Sequence, residues 1–147
     1  MKIAIVYYSQ HHGNTKKLLD AISELGDVTL IDATQIKCAD LSDYDMVGFA
    51  SGIYFQKFHK TVIEFASCNL PEDKSVFLIY TCGFKRPVYT KCMKEVIRQK
   101  RAKLIGSYGC LGYDTFGPFK LVGGIAKGRP NVYDVQRAVA FFEKMRS

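Results

Sequence analysis

The sequence predicts a doubly wound α/β fold, a three-layer α/β/α sandwich around a five-stranded parallel sheet. Two observations lead there. First, five short apolar runs recur along the 147 residues: Ile3–Tyr8, Val28–Ile31, Met46–Ala50, Val76–Tyr80 and Leu104–Tyr108. They are continuous rather than alternating, and rich in β-branched and aromatic residues. Strands buried on both faces have this pattern, and such strands belong to parallel sheets. Second, segments of helical period separate the runs. Right-handed crossovers between parallel strands then put helices on both sheet faces. The length fits one domain spanning 1–147.

The helical stretches follow in order. Leu18, Leu19, Ile22 and Leu25 share one face of a first helix that Gly26 ends. Phe58, Val62, Phe65 and Ala66 form a second stripe. Tyr89, Cys92, Met93, Val96 and Ile97 form a third, surrounded by Lys91, Lys94, Arg98 and Lys100. Val135, Ala138, Val139, Phe142 and Met145 form the last, opened by Pro130-Asn131. Residues 33–44 predict a short helix or a loop. The fifth apolar run, Leu104–Tyr108, is the least apolar of the set.

Composition narrows the class. Hydrophobic residues are 48% and charged residues 24%, which excludes wholesale disorder. No apolar run approaches the roughly 18 residues of a membrane span. The short apolar run at Met1–Val6 reads as a first strand, not a signal peptide, so a cytoplasmic protein is expected. The five cysteines, at 38, 68, 82, 92 and 110, contain no CxxC pair, which argues for reduced thiols rather than a disulfide framework or a zinc site. The net charge of +7 is unevenly spread: residues 1–50 carry four basic and seven acidic groups, residues 51–100 nine and four, and residues 101–147 eight and three. Such asymmetry suits a basic face for nucleic acid, an anionic membrane or an acidic protein, or a solvated surface alone.

In a doubly wound sheet, ligands sit beyond the carboxyl ends of the strands. The loop Ser9-Gln10-His11-His12-Gly13-Asn14-Thr15 follows the first strand and opens a helix. Unpaired N–H groups and the helix dipole make such a place an anion site, with Ser9, Asn14 and Thr15 as side-chain donors. Asn14 or Thr15 as an ordinary cap is the alternative. The loop carries neither GxxxxGK[ST] nor GxGxxG, so a single phosphate fits better than a dinucleotide pyrophosphate. No metal site is expected, because adjacent His11 and His12 cannot easily face one ion and His59 has no ligand spacing to them. The loop after the third strand, Ser51-Gly52-Ile53-Tyr54-Phe55-Gln56, pairs small residues with large rings. The loop after the fourth is Thr81-Cys82-Gly83-Phe84-Lys85-Arg86-Pro87. Cys82 as a phosphatase nucleophile fails, since Cys-x5-Arg would require arginine at the position of Val88. Residues 111–130 form a long connection with glycines at 112, 117, 123, 124 and 128. Connections of this length tend to be lids or binding loops.

Gly13-Asn14-Thr15, in a strand–loop–helix at the start of the chain, resembles the phosphate loop of flavodoxins, [Thr/Ser]-x-Thr-Gly-x-Thr. Gly13 and Thr15 match. Gln10 and His12 stand where that pattern has hydroxyls. The long connection, with Gly-Pro-x-Lys from 117 and Gly-Gly-x-x-Lys-Gly-x-Pro from 123, resembles a loop of short bacterial flavodoxin-like proteins. The resemblance spans essentially the whole chain and implies strand order 2-1-3-4-5. It implies FMN as cofactor, held by Ser9, Gln10, His11, His12, Gly13, Asn14 and Thr15 at its phosphate. Ser51, Gly52, Ile53 and Tyr54, then Thr81, Cys82, Gly83 and Phe84, would hold the ring, with Tyr54 the stacking residue. No acid–base or nucleophilic catalyst is assigned. The expected function is electron transfer between redox partners, possibly acidic ones, with no nucleic acid involved. The alternatives are an FMN-dependent NAD(P)H:quinone-type reductase and a non-redox binding module on the same fold.

Overall fold

The computed structural model describes every residue except His11 and Phe116, and the backbone alone of Gly117 and Pro118. Its elements run β1 (Ile3–Tyr8), α1 (Asn14–Ser23), β2 (Val28–Asp32), β3 (Met46–Tyr54), β4 (Lys57–Phe58), α2 (Lys60–Asn69), β5 (Ser75–Cys82), a 3₁₀ turn (Pro87–Thr90), α3 (Lys91–Gln99), β6 (Lys103–Leu111), a second 3₁₀ turn (Gly117–Val122) and α4 (Val132–Arg146). The parallel strands lie in the order β2-β1-β3-β5-β6, the expected 2-1-3-4-5 when those five alone are counted. Ile3 stands opposite Val28 and Met46, and Val47 opposite Val76.

The runs of the central strands β1, β3 and β5 are apolar because they serve two cores. The edge strands β2 and β6 are only partly buried, contrary to the expectation of burial on both faces, with Leu104 and Ile105 exposed. From β1, Ala4 and Val6 face α2 and α3, packing with Phe49, Leu78, Val62, Phe65, Met93 and Ile97. Ile3 and Ile5 face α1 and α4, packing with Phe77, Ile79, Leu18, Ile22, Ala138 and Phe142. Burying each such side chain is worth roughly 1.5–3 kcal/mol, more than one helix cap at about 1 kcal/mol, so the two cores hold the layers together. Two positions in the sheet need glycine for space: a Cβ on Gly48 would lie 2.4 Å from the Phe77 ring, and one on Gly109 2.1 Å from the Tyr80 ring.

The structure corrects several sequence expectations. A sixth strand exists: β3 runs four residues past Ala50, and its tip folds back so that Ile53 and Tyr54 pair antiparallel with Phe58 and Lys57. Phe58 therefore belongs to β4, not to the second helix, which begins after the cap His59. Residues 33–44 form turns, because Asp32 and Asp40 each accept hydrogen bonds from the backbone N–H two residues on. Such local bonds compete with helix. Tyr89 lies in the 3₁₀ turn before α3, and Leu25 lies beyond the end of α1. Residues 111–130 are not structureless. Leu111 ends β6, a 3₁₀ turn follows, and Asp114 and Ile125 bridge across the loop. Among the described residues, no helix is long and apolar enough to cross a membrane.

Candidate functional site

Because β1, β3, β5 and β6 are parallel, the segments following them gather at one end of the sheet. There Ser9, Thr15, Gly52, Ile53, Tyr54, Thr81, Cys82, Gly83 and Asp114 line a cleft of about 350 Å³, its open mouth included. Eight of these nine residues are sequence candidates; Asp114 is not.

The first wall is the start of α1. Gly13 occupies the N-cap position in the left-handed region (φ 64°) and has no side chain with which to cap the helix. α3 likewise has no side-chain cap at its Thr90 N-cap, whereas α2 and α4 do. His59 caps α2, and a reciprocal Asn131–Asp134 box caps α4. Ser9 is drawn in because its Oγ accepts from the Lys16 N–H at 2.9 Å. Thr15 is fully buried, its hydroxyl 2.9 Å from that of Thr81, which ties the first loop to the end of β5. Asn14 is also buried. Its Nδ2 donates to the Tyr113 carbonyl at 2.8 Å, while its Oδ1 has no partner among the described residues.

The second wall is the end of β3. The buried Ser51 hydroxyl donates to the Gly52 carbonyl and accepts from the His59 N–H at 3.0 Å, which fixes the start of α2 beside the strand. The Tyr54 ring folds back over Gly52, where a Cβ would lie 3.3 Å from it. Tyr54 also stands edge-on to Tyr8 (5.4 Å between centroids) and to His59 (5.2 Å), and Tyr8 and His59 stack at 3.7 Å. His59 Nδ1 accepts from the Thr61 N–H, and burial first, then the Lys60 charge, push the imidazole pKa down.

The third wall is the end of β5. Cys82 is buried with its thiol toward the Cys110 carbonyl, and burial pushes its pKa up to about 12. A shift in that direction favours the protonated thiol over the thiolate, which is the nucleophilic form. Gly83 lies against the long loop: a Cβ there would meet Ile125 Cδ1 at 2.7 Å and Asp114 Oδ2 at 2.8 Å.

The long loop closes the ring of walls. Gly112 N–H donates to the Cys82 carbonyl at 2.8 Å, and Tyr113 N–H to the Arg129 carbonyl at 2.8 Å. His12 reaches across from the first loop, its ring stacked on Tyr113 and its Nε2 2.9 Å from the Thr115 hydroxyl. The Arg129 guanidinium grips Asp134 through two bonds, of 2.5 and 2.7 Å, and so anchors the loop to α4.

The candidates thus divide. Ser9, Thr15, Gly52, Ile53, Tyr54, Thr81, Cys82 and Gly83 line the cleft. Asn14 and Ser51 are buried behind it, and half-exposed Gly13 lies outside the lining. Exposed Gln10 and His12 lie outside the lining, and His11 lies outside the described residues. Phe84 is half-exposed, edge-to-face with Phe119 and under the Arg86 guanidinium. Sequence reasoning missed Asp114, Tyr8 and His59. Asp114 had a signal: it is the only carboxylate in the glycine-rich connection. Among the described residues, no group of three metal-ligating side chains gathers.

Comparison with known proteins follows this geometry. A family model described as a flavodoxin domain matches residues 5–120. An uncharacterised protein of Methanocaldococcus jannaschii is 34% identical over 143 residues, covering 96% of this chain and 95% of that one. Among solved structures, a flavodoxin from the domain Archaea superposes with TM-score 0.71 at 19% identity, each chain covered completely. A flavoprotein from Lactobacillus acidophilus, solved in complex with FMN, superposes with TM-score 0.58 at 17% identity, over 74% of this chain and 92% of that one.

Proposed function

The chain belongs to the flavodoxin domain family, and on that footing we propose that it binds FMN non-covalently and carries electrons between redox partners. One observation carries the reading: the helix α1 begins at a glycine N-cap, Gly13, at the edge of a cleft built from the carboxyl ends of β1, β3 and β5.

The residues fit the cofactor. The first-turn N–H groups of Asn14 and Thr15 and the α1 dipole favour a phosphate, and no acidic side chain stands in that turn to oppose it. The Ser9 hydroxyl adds polarity at the same end. Gly52 and Gly83 leave backbone open to a flat ring, and Tyr54 offers it an aromatic wall. When bound, FMN supplies the redox chemistry, taking up and returning one or two electrons. Cys82, kept neutral by burial, places no charge against the ring. The long loop, tied to both the first and third walls, excludes water from that side.

The partner reading rests on charge. The segments after β1, β3, β5 and β6 (9–13, 55–59, 83–90 and 112–131) carry Lys57, Lys85, Arg86, Lys120, Lys127 and Arg129 against one carboxylate, Asp114. Phe55, Phe84, Leu121 and Val122 are exposed at the same end. An acidic protein suits such an apolar patch with a cationic rim.

The visible absorption spectrum of the purified protein, before and after adding FMN, tests the cofactor; a spectrum of free FMN unchanged by the protein refutes it. A second reading, reduction of a quinone-type acceptor, is favoured by an aromatic groove beside the cleft, lined by Tyr8, Tyr54, Phe55, Phe58 and His59 with Lys57 and Lys60. Steady-state turnover of NAD(P)H with a quinone separates the two.

A further inference from the structure

Asp114 is the only charged side chain among the described residues lining the cleft. Its place is set from several sides. Its own N–H and C=O pair with Ile125 at 2.9 and 2.8 Å. The residue before it is held by the Asn14 side chain and the Arg129 carbonyl, and Gly112 is held by Cys82. The carboxylate thereby lies over the Gly83 backbone, with Oδ2 2.8 Å from where a Cβ would stand.

An ionised carboxylate only accepts hydrogen bonds. Beside a phosphate or a ring carbonyl it would repel the ligand. The pyrimidine edge of an isoalloxazine offers two carbonyls and one imide N–H, so one group on that edge matches the carboxylate. Phosphate binding at α1 leaves the ring to the Gly83 end of the cleft, where Asp114 is. Resting on the flavin reading above, we infer that Asp114 is a specificity-determining residue: it accepts the imide N–H of the isoalloxazine and so selects ligands that bear that proton. A charge-assisted bond of this kind is among the stronger single contacts a site can make.

Titrations by flavin fluorescence with FMN, 3-methyl-FMN, riboflavin and 3-methylriboflavin, on the parent and Asp114→Ala, test this. In the parent, methylation should weaken binding about tenfold or more, the scale of a hydrogen bond to a charged group. The loss should be alike with and without the phosphate. In Asp114→Ala, FMN should bind more weakly and the methylation gap should close to about twofold or less. Far-UV circular dichroism and thermal unfolding check that the variant folds. If it does not, Asp114→Asn replaces it, and a gap narrower than the parent's supports the inference. A methylation gap equal in parent and variant overturns it while leaving the flavin reading standing. Failure of the parent to bind FMN or riboflavin overturns both.

Discussion

Replacing Asp134 with alanine tests how the long loop is anchored. The carboxylate is 1% exposed and accepts from Arg129 Nε and Nη2 and from the Asn131 N–H, while Asn131 caps α4 in return. Half of the capping box is lost in Asp134→Ala, about 1 kcal/mol. Breaking a fully buried pair would add about 3–5 kcal/mol, but the Arg129 side chain is 32% exposed and water takes over its donors. We therefore expect about 2–3 kcal/mol in all, or a fall in Tm of roughly 5–10 °C for a chain of this size. The pH dependence has a definite sign. The Arg129 hydrogen bonds, then the Asn131 backbone bond, hold the Asp134 carboxyl below its ordinary range despite burial. A group whose folded pKa is depressed contributes stability above its unfolded value and loses it as pH falls through the folded value. Urea unfolding of parent and variant should show the full gap at pH 7, narrowing as pH drops below about 4. A loss under about 1 kcal/mol at pH 7, or a gap that persists undiminished in acid, refutes the account.

Three further expectations follow. Gly83→Ala should push Ile125 and Asp114 off the third wall and cost about 1–3 kcal/mol as overpacking, read by thermal unfolding; a neutral result means the loop shifts freely. His59→Asn keeps a helix cap but removes a base whose pKa burial depresses: the parent should lose stability relative to the variant as pH falls below about 6.5, and parallel pH profiles would show that the ring does not titrate with folding. Reversing Lys85, Arg86, Lys120 and Lys127 to Glu should leave FMN affinity nearly unchanged while slowing stopped-flow electron exchange with an acidic ferredoxin and flattening its salt dependence. Unchanged rates and slopes would make the basic rim a solvated surface.

Much of the fold was legible because burial on both faces forces an apolar run, and β1 shows this end to end: Ile3–Tyr8 is both the run and the strand. The strand order and the first loop were legible through Gly13-Asn14-Thr15. The β3–β4 hairpin was not. Its turn places Phe55 and Gln56 at φ 51° and 65°, where the glycine or asparagine that would have marked a left-handed turn is absent. His59 and Tyr8 escaped notice for another reason: their stacking depends on the hairpin bringing the start of α2 back to the end of β1. Asp114 took its place in the cleft only through pairing with Ile125, eleven residues on, which no local pattern announces.

The uneven distribution of charge has a consequence for how the molecule meets other bodies. The segments that lead into and begin the strands at the other end carry Glu24, Asp27, Asp43, Asp45, Glu72 and Asp73 against Lys2, Lys74, Lys100, Arg101 and Lys103. The opposite pole holds Lys57, Lys85, Arg86, Lys120 and Lys127 around the cleft, Arg129 being paired with Asp134. The separation gives the protein an electric dipole moment along its strands. In the field of a negatively charged surface, such a dipole feels a torque as well as an attraction. The molecule turns its cleft forward once it comes within about a Debye length of the surface, and fewer rotational trials separate first approach from productive collision.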